Sequence, residues 1–329
     1  MVGVRWCRAA LLAAILSSAP AFAQQTPSPY TAPRNSLGQP DLGGLWTNAT
    51  RTEFERAPQY GDRQAMTPEE VSRLQRPAPA QAAGAAPPSA DSLGGRIMQI
   101  NGEYRTSFLI EPKNGRMPAL TPEAEQARQL KRSEAPRGVG YSRGENVESL
   151  TYAERCLKDF GSSSGPPMLP VGYNNTYQIV QAPEHVAILI EMIHDVRIVP
   201  LTKDRKRPTA VKQWMGDSIG WYEGEALVVE TTNFRPGAAF NGVSESMKLI
   251  EKFRRVSDRQ IVYSFEINEP RIFTAPIKGE LAWNATSGPL YEYACHEGNY
   301  SLANMLSGQR TYEAEMAAIR IAAEKKRRN

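Results

Sequence analysis

Gln260-Ile261-Val262-Tyr263-Ser264-Phe265-Glu266-Ile267-Asn268 is the stretch that decides the fold. Ile261, Tyr263, Phe265 and Ile267 fall on one face, and Val262, Ser264, Glu266 and Asn268 on the other. That period of two is the mark of a strand with one face buried. Ser257-Asp258-Arg259 precedes it as a turn, and Met247–Val256 on the far side of that turn also reads as a strand. Tyr177–Gln181, Val186–Ile193, Val196–Leu201, Gln213–Tyr222, Ala226–Phe234, Lys278–Trp283 and Leu290–His296 read the same way, with turns at Glu223-Gly224 and Ser287-Gly288-Pro289. Successive short strands joined by tight turns predict a mainly β fold. The expected form is an antiparallel meander closing into a barrel of about eight strands, with helices and long loops at its ends.

The N-terminal half frames this barrel. Asp41–Thr47 predicts a first strand, and its Gly44-Leu45-Trp46 resembles the Gly-x-Trp opening of lipocalin-like barrels. Tyr104–Glu111 alternates as a strand. Thr67-Pro68-Glu69-Glu70 is a helix start that cannot run past about Gln75, because Pro77 and Pro79 follow. Thr121-Pro122-Glu123 opens a second helix, and residues 76–95 read as a loop rich in Ala, Pro, Gly and Ser. The expected organisation is an extended arm at 24–40 and one barrel domain at 41–306 with a helical and loop insertion at 60–150. A C-terminal helix and basic tail at 307–329 complete it.

Residues 1–23 read as a secretory leader: Arg5 and Arg8, then the apolar run Ala9–Ile15, then Ala21-Phe22-Ala23 before Gln24. No segment approaches the roughly 18 apolar residues of a membrane span. The expected location is therefore the periplasm or the exterior. Removing the leader takes two arginines from a chain of net charge +4, leaving 4 − 2 = +2. A near-neutral balance without a basic stripe argues against a nucleic-acid partner. Cys156 and Cys295 remain, and in an oxidising compartment an isolated pair is expected to form a disulfide. The competing reading keeps Cys295 reduced, as a nucleophile or metal ligand.

His194-Asp195-x-Arg197 and Tyr291–Tyr300, with Cys295-His296-Glu297 inside it, hold the residues best suited to acid–base chemistry. On one unbroken strand Glu191, Asp195 and Arg197 share a face and His194 takes the other; a kink between Ile193 and Val196 would change this. Two histidines, His194 and His296, could carry protons, with Asp195 or Asp217 orienting them and Arg197 stabilising negative charge. The bland alternative is a structural ion pair and satisfied histidines. Trp214, Trp221, Tyr177, Asn175 and Glu191 are expected to shape a pocket for a flat, partly apolar ligand. No cofactor is expected. A transition metal would need a third ligand from Asp195, Asp217, Glu191 or Glu297, and the chain lacks the usual His spacings. Gly161-Ser162-Ser163-Ser164-Gly165 has the letters of a nucleophile elbow, but Pro166 and Pro167 follow where a helix is required. No P-loop or dinucleotide fingerprint occurs.

Several motifs together resemble a family of exported bacterial proteins. They are Pro40–Trp46, Arg116–Glu123, Glu154-Arg155-Cys156, Tyr177–Gln181, His194-Asp195-x-Arg197, Gln213–Ser218, Glu223–Phe234 and Tyr291–Tyr300. The resemblance spans nearly the whole chain after the leader. It implies an exported pocket protein acting on small organic molecules and names no reaction. The leading expectation is an enzyme of lyase or isomerase type acting on a small aromatic compound. The rival is a non-catalytic, lipocalin-like binding protein, which a cavity of apolar and aromatic groups with both histidines outside it would favour. A structural envelope protein is the third reading.

Overall fold

The computed structural model describes residues 30–74, 96–134, 144–158, 165–204, 210–235, 240 and 244–328, with the side chains of 131–134 outside that description. The expected leader, the 76–95 loop and most of Gly161–Gly165 lie outside the described residues. Thr31–Asn329 forms one compact unit.

The elements in chain order are β1 (Gly44–Thr47), α1 (Pro68–Leu74), β2 (Gln99–Ile100), β3 (Glu103–Tyr104), β4 (Leu109–Glu111), α2 (Pro122–Glu134), β5 (Thr176–Gln181), β6 (His185–Ile190) and β7 (Val196–Pro200). They continue as β8 (Asp217–Glu223), β9 (Ala226–Thr232), β10 (Lys248–Ser257), β11 (Gln260–Asn268), β12 (Ile277–Ala285) and α3 (Tyr300–Arg328). Nine strands form one antiparallel sheet in the order β7-β6-β5-β1-β12-β11-β10-β9-β8, and β4 adds to β12 where β1 leaves it. A parallel bridge from Leu201 to Gly220 brings β7 against β8 and nearly closes the barrel. Gly220 permits this approach, since a Cβ there would lie 2.8 Å from Val199 Cγ1. The sheet is the expected lipocalin-like barrel.

The alternation in the sequence sets the inner face. Ile261, Tyr263, Phe265 and Ile267 all point into the core, as do Leu249 and Phe253 of β10 and Leu281 and Trp283 of β12. Burying each such side chain stabilises the fold by about 1.5–3 kcal/mol. Trp46, Trp283, Tyr177, Tyr263, Phe253 and Phe265 are among the largest fully enclosed side chains.

The two barrel ends differ. The end with the tight β8–β9 and β10–β11 hairpins is sealed by the segment before β1. Trp46 Nε1 donates to Leu42 O at 2.9 Å, and the Arg255 guanidinium lies 5.6 Å from the Trp46 ring centroid while Nη1 donates to Asp41 O at 2.9 Å. Gln181 Nε2 donates to Pro40 O at 2.9 Å and to Tyr222 OH at 2.7 Å, and Gln181 Oε1 accepts from Leu42 N at 2.7 Å. Arg34 pairs with Glu225 in the β8–β9 turn. The described part of the expected arm is therefore a cap. The opposite end carries the segments 165–175, 191–195, 233–235, 244–247 and 269–276.

Both helix starts behave as read. Thr67 Oγ1 accepts from Glu70 N at 3.3 Å while Glu70 Oε2 accepts from Thr67 N at 2.8 Å, a reciprocal cap. Thr121 Oγ1 accepts from Ala124 N at 3.2 Å. Other expectations need correction. Tyr104–Glu111 splits into β3 and β4. The Gln213–Tyr222 strand begins only at Asp217, because Gly216 adopts φ +69°. Leu290–His296 is not a strand: Tyr291 N donates to the Glu191 carboxylate at 3.1 Å instead of to a ladder partner, and a turn follows. α3 begins at Tyr300 rather than Ser307, capped by Asn299 Oδ1 on Leu302 N at 3.1 Å.

Cys156 and Cys295 form a disulfide across 139 residues. It ties the chain before β5 to the segment leading into α3. Closing so long a loop should stabilise the fold by about 2–5 kcal/mol. A Cys156→Ser/Cys295→Ser protein is expected to reach its chemical-denaturation midpoint at clearly lower denaturant; an unchanged midpoint would remove the bond's stabilising role.

Candidate functional site

The barrel lumen is built around one buried ion pair. After β6 the chain kinks: Ile193 adopts φ 61° and His194 φ 47°. The kink resets the register, so that Arg197 points inward beside Val199 while Val196 and Ile198 point out. Glu251 sits on the apolar face of β10 between Leu249 and Phe253. Arg197 Nη1 donates to Glu251 Oε1 at 3.0 Å and Nη2 to Oε2 at 2.6 Å, with side-chain exposures of 2% and 0%. Nη2 also lies 3.3 Å from both Ser218 Oγ and Thr231 Oγ1. Tyr263 OH donates to Glu251 Oε1 at 2.7 Å.

The electrostatics follow from enclosure. Burial opposes the Arg197 charge, but the Glu251 carboxylate more than offsets it and holds the guanidinium above its ordinary value. Burial pushes the Tyr263 phenol well above its usual range, and Glu251 adds to that rise. Both effects keep Arg197 charged and Tyr263 protonated at neutral pH.

An aromatic wall continues from this pair. Trp283 stacks on Tyr177 with centroids 4.3 Å apart, meets Tyr263 at 5.3 Å and takes Phe253 edge-on at 5.5 Å. Asn48 Nδ2 donates to Tyr177 OH at 3.2 Å. A piece of chain enters this space from the long-loop end. Gly165-Pro166-Pro167-Met168-Leu169 is buried throughout. Met168 N donates to Tyr263 OH at 3.0 Å, Met168 O accepts from Asn48 Nδ2 at 3.1 Å, and Gly165 O accepts from Lys158 Nζ at 2.7 Å. The segment acts as a stopper for the lumen. Arg197 Nε, Trp283 Nε1 and Asn48 Oδ1 are buried with no hydrogen-bond partner among the described residues. Each such atom costs about 1–3 kcal/mol.

The rim of the same end holds much of the chemistry expected from the sequence. His194 is exposed, with Nδ1 2.9 Å from Tyr293 O. His296 is exposed in the turn after Cys295. Asp195 follows the kink, half-buried. A surface pocket of about 560 Å³ is lined by Glu154, Asn174, Glu292, Tyr293, Asn299 and Met305, among others. Tyr173 and Tyr293 lie parallel beside it, with centroids 6.5 Å apart.

The remaining candidates serve the framework. Glu191 clamps the start of β5 to the segment that follows β12 by accepting from Thr176 N at 3.2 Å and Tyr291 N at 3.1 Å. Asn175 closes a loop onto Val171 N and O at 2.8 and 2.7 Å. Asp217 is buried and accepts from Asn233 Nδ2 at 2.7 Å. Trp214 packs edge-on to Tyr152 at 4.8 Å under Arg235. Trp221 is half-buried with Nε1 bonded to Glu223 at 2.8 Å, and Lys203 lies over its ring, so it does not line the lumen. Of the residues singled out from the sequence, Arg197 and Tyr177 meet in the lumen, while His194 and His296 stay at the surface. Among the described residues no three His, Cys, Asp or Glu side chains gather as a metal would require.

Sequence reasoning missed Glu251, Tyr263, Trp283, Asn48 and Met168. Glu251 had a signal: a lone carboxylate between Leu249 and Phe253 on an apolar face must meet a cation. No family model, curated protein or solved structure matches this chain.

Glu251→Ala leaves Arg197 buried and unpaired, so it is expected to cost about 3–5 kcal/mol. The double variant Arg197→Met/Glu251→Leu should recover most of that loss in thermal unfolding. A single variant as stable as the parent would contradict the pairing.

Proposed function

We propose that this protein binds a small, flat, partly apolar organic molecule in the barrel lumen, and that it does so outside the cytoplasm. The observation that carries the reading is the stopper. One barrel end is sealed by Arg34–Leu42, while the other is filled by Gly165–Leu169 with a main-chain amide on the Tyr263 hydroxyl. A peptide segment held in an aromatic chamber through hydrogen bonds at Met168 N, Met168 O and Gly165 O can exchange places with a ligand of similar chemistry. Both histidines lie outside that chamber, which favours binding over acid–base catalysis within it. The leader pattern at 1–23 and the Cys156–Cys295 bond support an oxidising compartment.

A second reading places lyase- or isomerase-type chemistry at the rim. The hydrogen bond of His194 Nδ1 to Tyr293 O fixes the ring so that Nε2 can accept a proton beside the 560 Å³ pocket. In this reading His194 acts without Arg197, whose charge is committed to Glu251.

Screening the purified protein against small aromatic compounds separates the two. Lumen binding is expected to be saturable, to quench tryptophan emission and to raise the unfolding midpoint as ligand concentration rises. His194→Gln should leave that affinity unchanged. Turnover of the bound compound that disappears in His194→Gln would favour the rim enzyme, and the absence of any saturable ligand would contradict both.

A further inference from the structure

We infer that the lumen selects a neutral, flat molecule bearing both a hydrogen-bond donor and an acceptor, and that this molecule replaces Gly165–Leu169. The inference rests on the lumen reading above and adds the ligand's chemistry. Three observations converge on it.

The first is the set of unpaired atoms. Arg197 Nε and Trp283 Nε1 are donors and Asn48 Oδ1 is an acceptor, all buried and without a partner among the described residues. Their side chains are joined by one run of contacts. Arg197 and Tyr263 share Glu251, the Tyr263 ring lies 5.3 Å from Trp283, Trp283 stacks on Tyr177, and Tyr177 OH accepts from Asn48. Buried polar groups are almost always satisfied, so a cluster of orphans marks a place for a polar guest.

The second is what the stopper itself presents. Met168 offers one N–H to the Tyr263 oxygen and one carbonyl to Asn48 Nδ2. The chamber is therefore already filled by a neutral group carrying one donor and one acceptor. A guest that takes its place must supply both.

The third is charge. Both Nη atoms of Arg197 are engaged by Glu251. A carboxylate ligand would enter beside the Glu251 carboxylate in a medium of low dielectric, with the cation already neutralised. Lys158, at the stopper's outer end, donates to Gly165 O and is not a free cation. An anion would meet the N–H donors Arg197 Nε and Trp283 Nε1, but no uncommitted charge on Arg197 to offset its own burial. A hydrocarbon fits the aromatic walls but leaves every orphan unmet.

Three probes with one ring size separate these cases: 4-hydroxybenzyl alcohol, 4-hydroxybenzoate and p-xylene. The readout is the indole N–H signal of Trp283 in ¹⁵N-labelled protein, identified by elimination with Trp6→Phe, Trp46→Phe, Trp214→Phe and Trp221→Phe. The alcohol is expected to shift that signal saturably, with a Kd at least tenfold below those of the benzoate and p-xylene. If the benzoate or p-xylene moves the indole as tightly, the selection for a neutral donor–acceptor is overturned while lumen binding stands. If no probe moves it, both fall. Displacement is tested by Lys158→Met, which loosens the stopper without opening a cavity. Affinity for the alcohol should rise threefold or more, because less of the protein holds the stopper in place. Should that variant fail to fold, Met168→Ala serves the same purpose. Unchanged affinity in a folded stopper variant overturns the replacement.

Discussion

The ion pair of Arg197 with Glu251 is the constraint around which the barrel interior is arranged. Two full charges enclosed among aromatic side chains persist only with close, bidentate geometry and neighbours that take up the remaining donors and lone pairs. Ser218, Thr231 and Tyr263 do this from three other strands. The pair thereby fixes the facing of β7 and of β10, which lie on either side of the β8–β9 hairpin. The kink at Ile193 and His194 is what turns Arg197 inward. Without that turn the guanidinium and the surface histidine would exchange sides of the sheet.

From this pair outward, the lumen is a graded environment. Charge sits at its centre, tryptophan and tyrosine rings form its wall, and a proline-rich strip of chain fills its mouth. Such an interior differs from an ordinary packed core in leaving polar atoms unmet. The rim adds a separate layer of chemistry, where the disulfide, the paired rings of Tyr173 and Tyr293, and His194 lie together outside the barrel. At the sealed end Leu42 N and Pro40 O are tied to Gln181, and Arg255 reaches both the carbonyl and the carboxylate of Asp41.

Much of the architecture was legible because it follows from alternation and turn chemistry. Ile261, Tyr263, Phe265 and Ile267 declare their face, and Thr67 and Thr121 declare their helices. The pairing of Cys156 with Cys295 follows from the compartment that the leader pattern predicts and from arithmetic. Legibility ended where tertiary partners override local pattern. The Tyr291 segment alternates like a strand, yet its first amide goes to Glu191, about a hundred residues earlier. His194 and Arg197 are neighbours in sequence, so one site was expected of them; a positive φ divides them between surface and core. Met168 gave no signal at all. Nothing local in Gly-Pro-Pro-Met-Leu tells that a barrel assembled from later strands will close around it.

The hydrogen bond from the Met168 amide to Tyr263 OH is where the claim of an exchangeable stopper can be tested most directly. Native-state hydrogen exchange reports the free energy at which each amide opens. A stopper that yields to a ligand predicts that the Met168 amide exchanges by local opening, well ahead of the Tyr263 and Phe265 amides in the barrel wall. Exchange of Met168 only on global unfolding, in step with those wall amides, would make Gly165–Leu169 a permanent part of the core and contradict a lumen built for a guest.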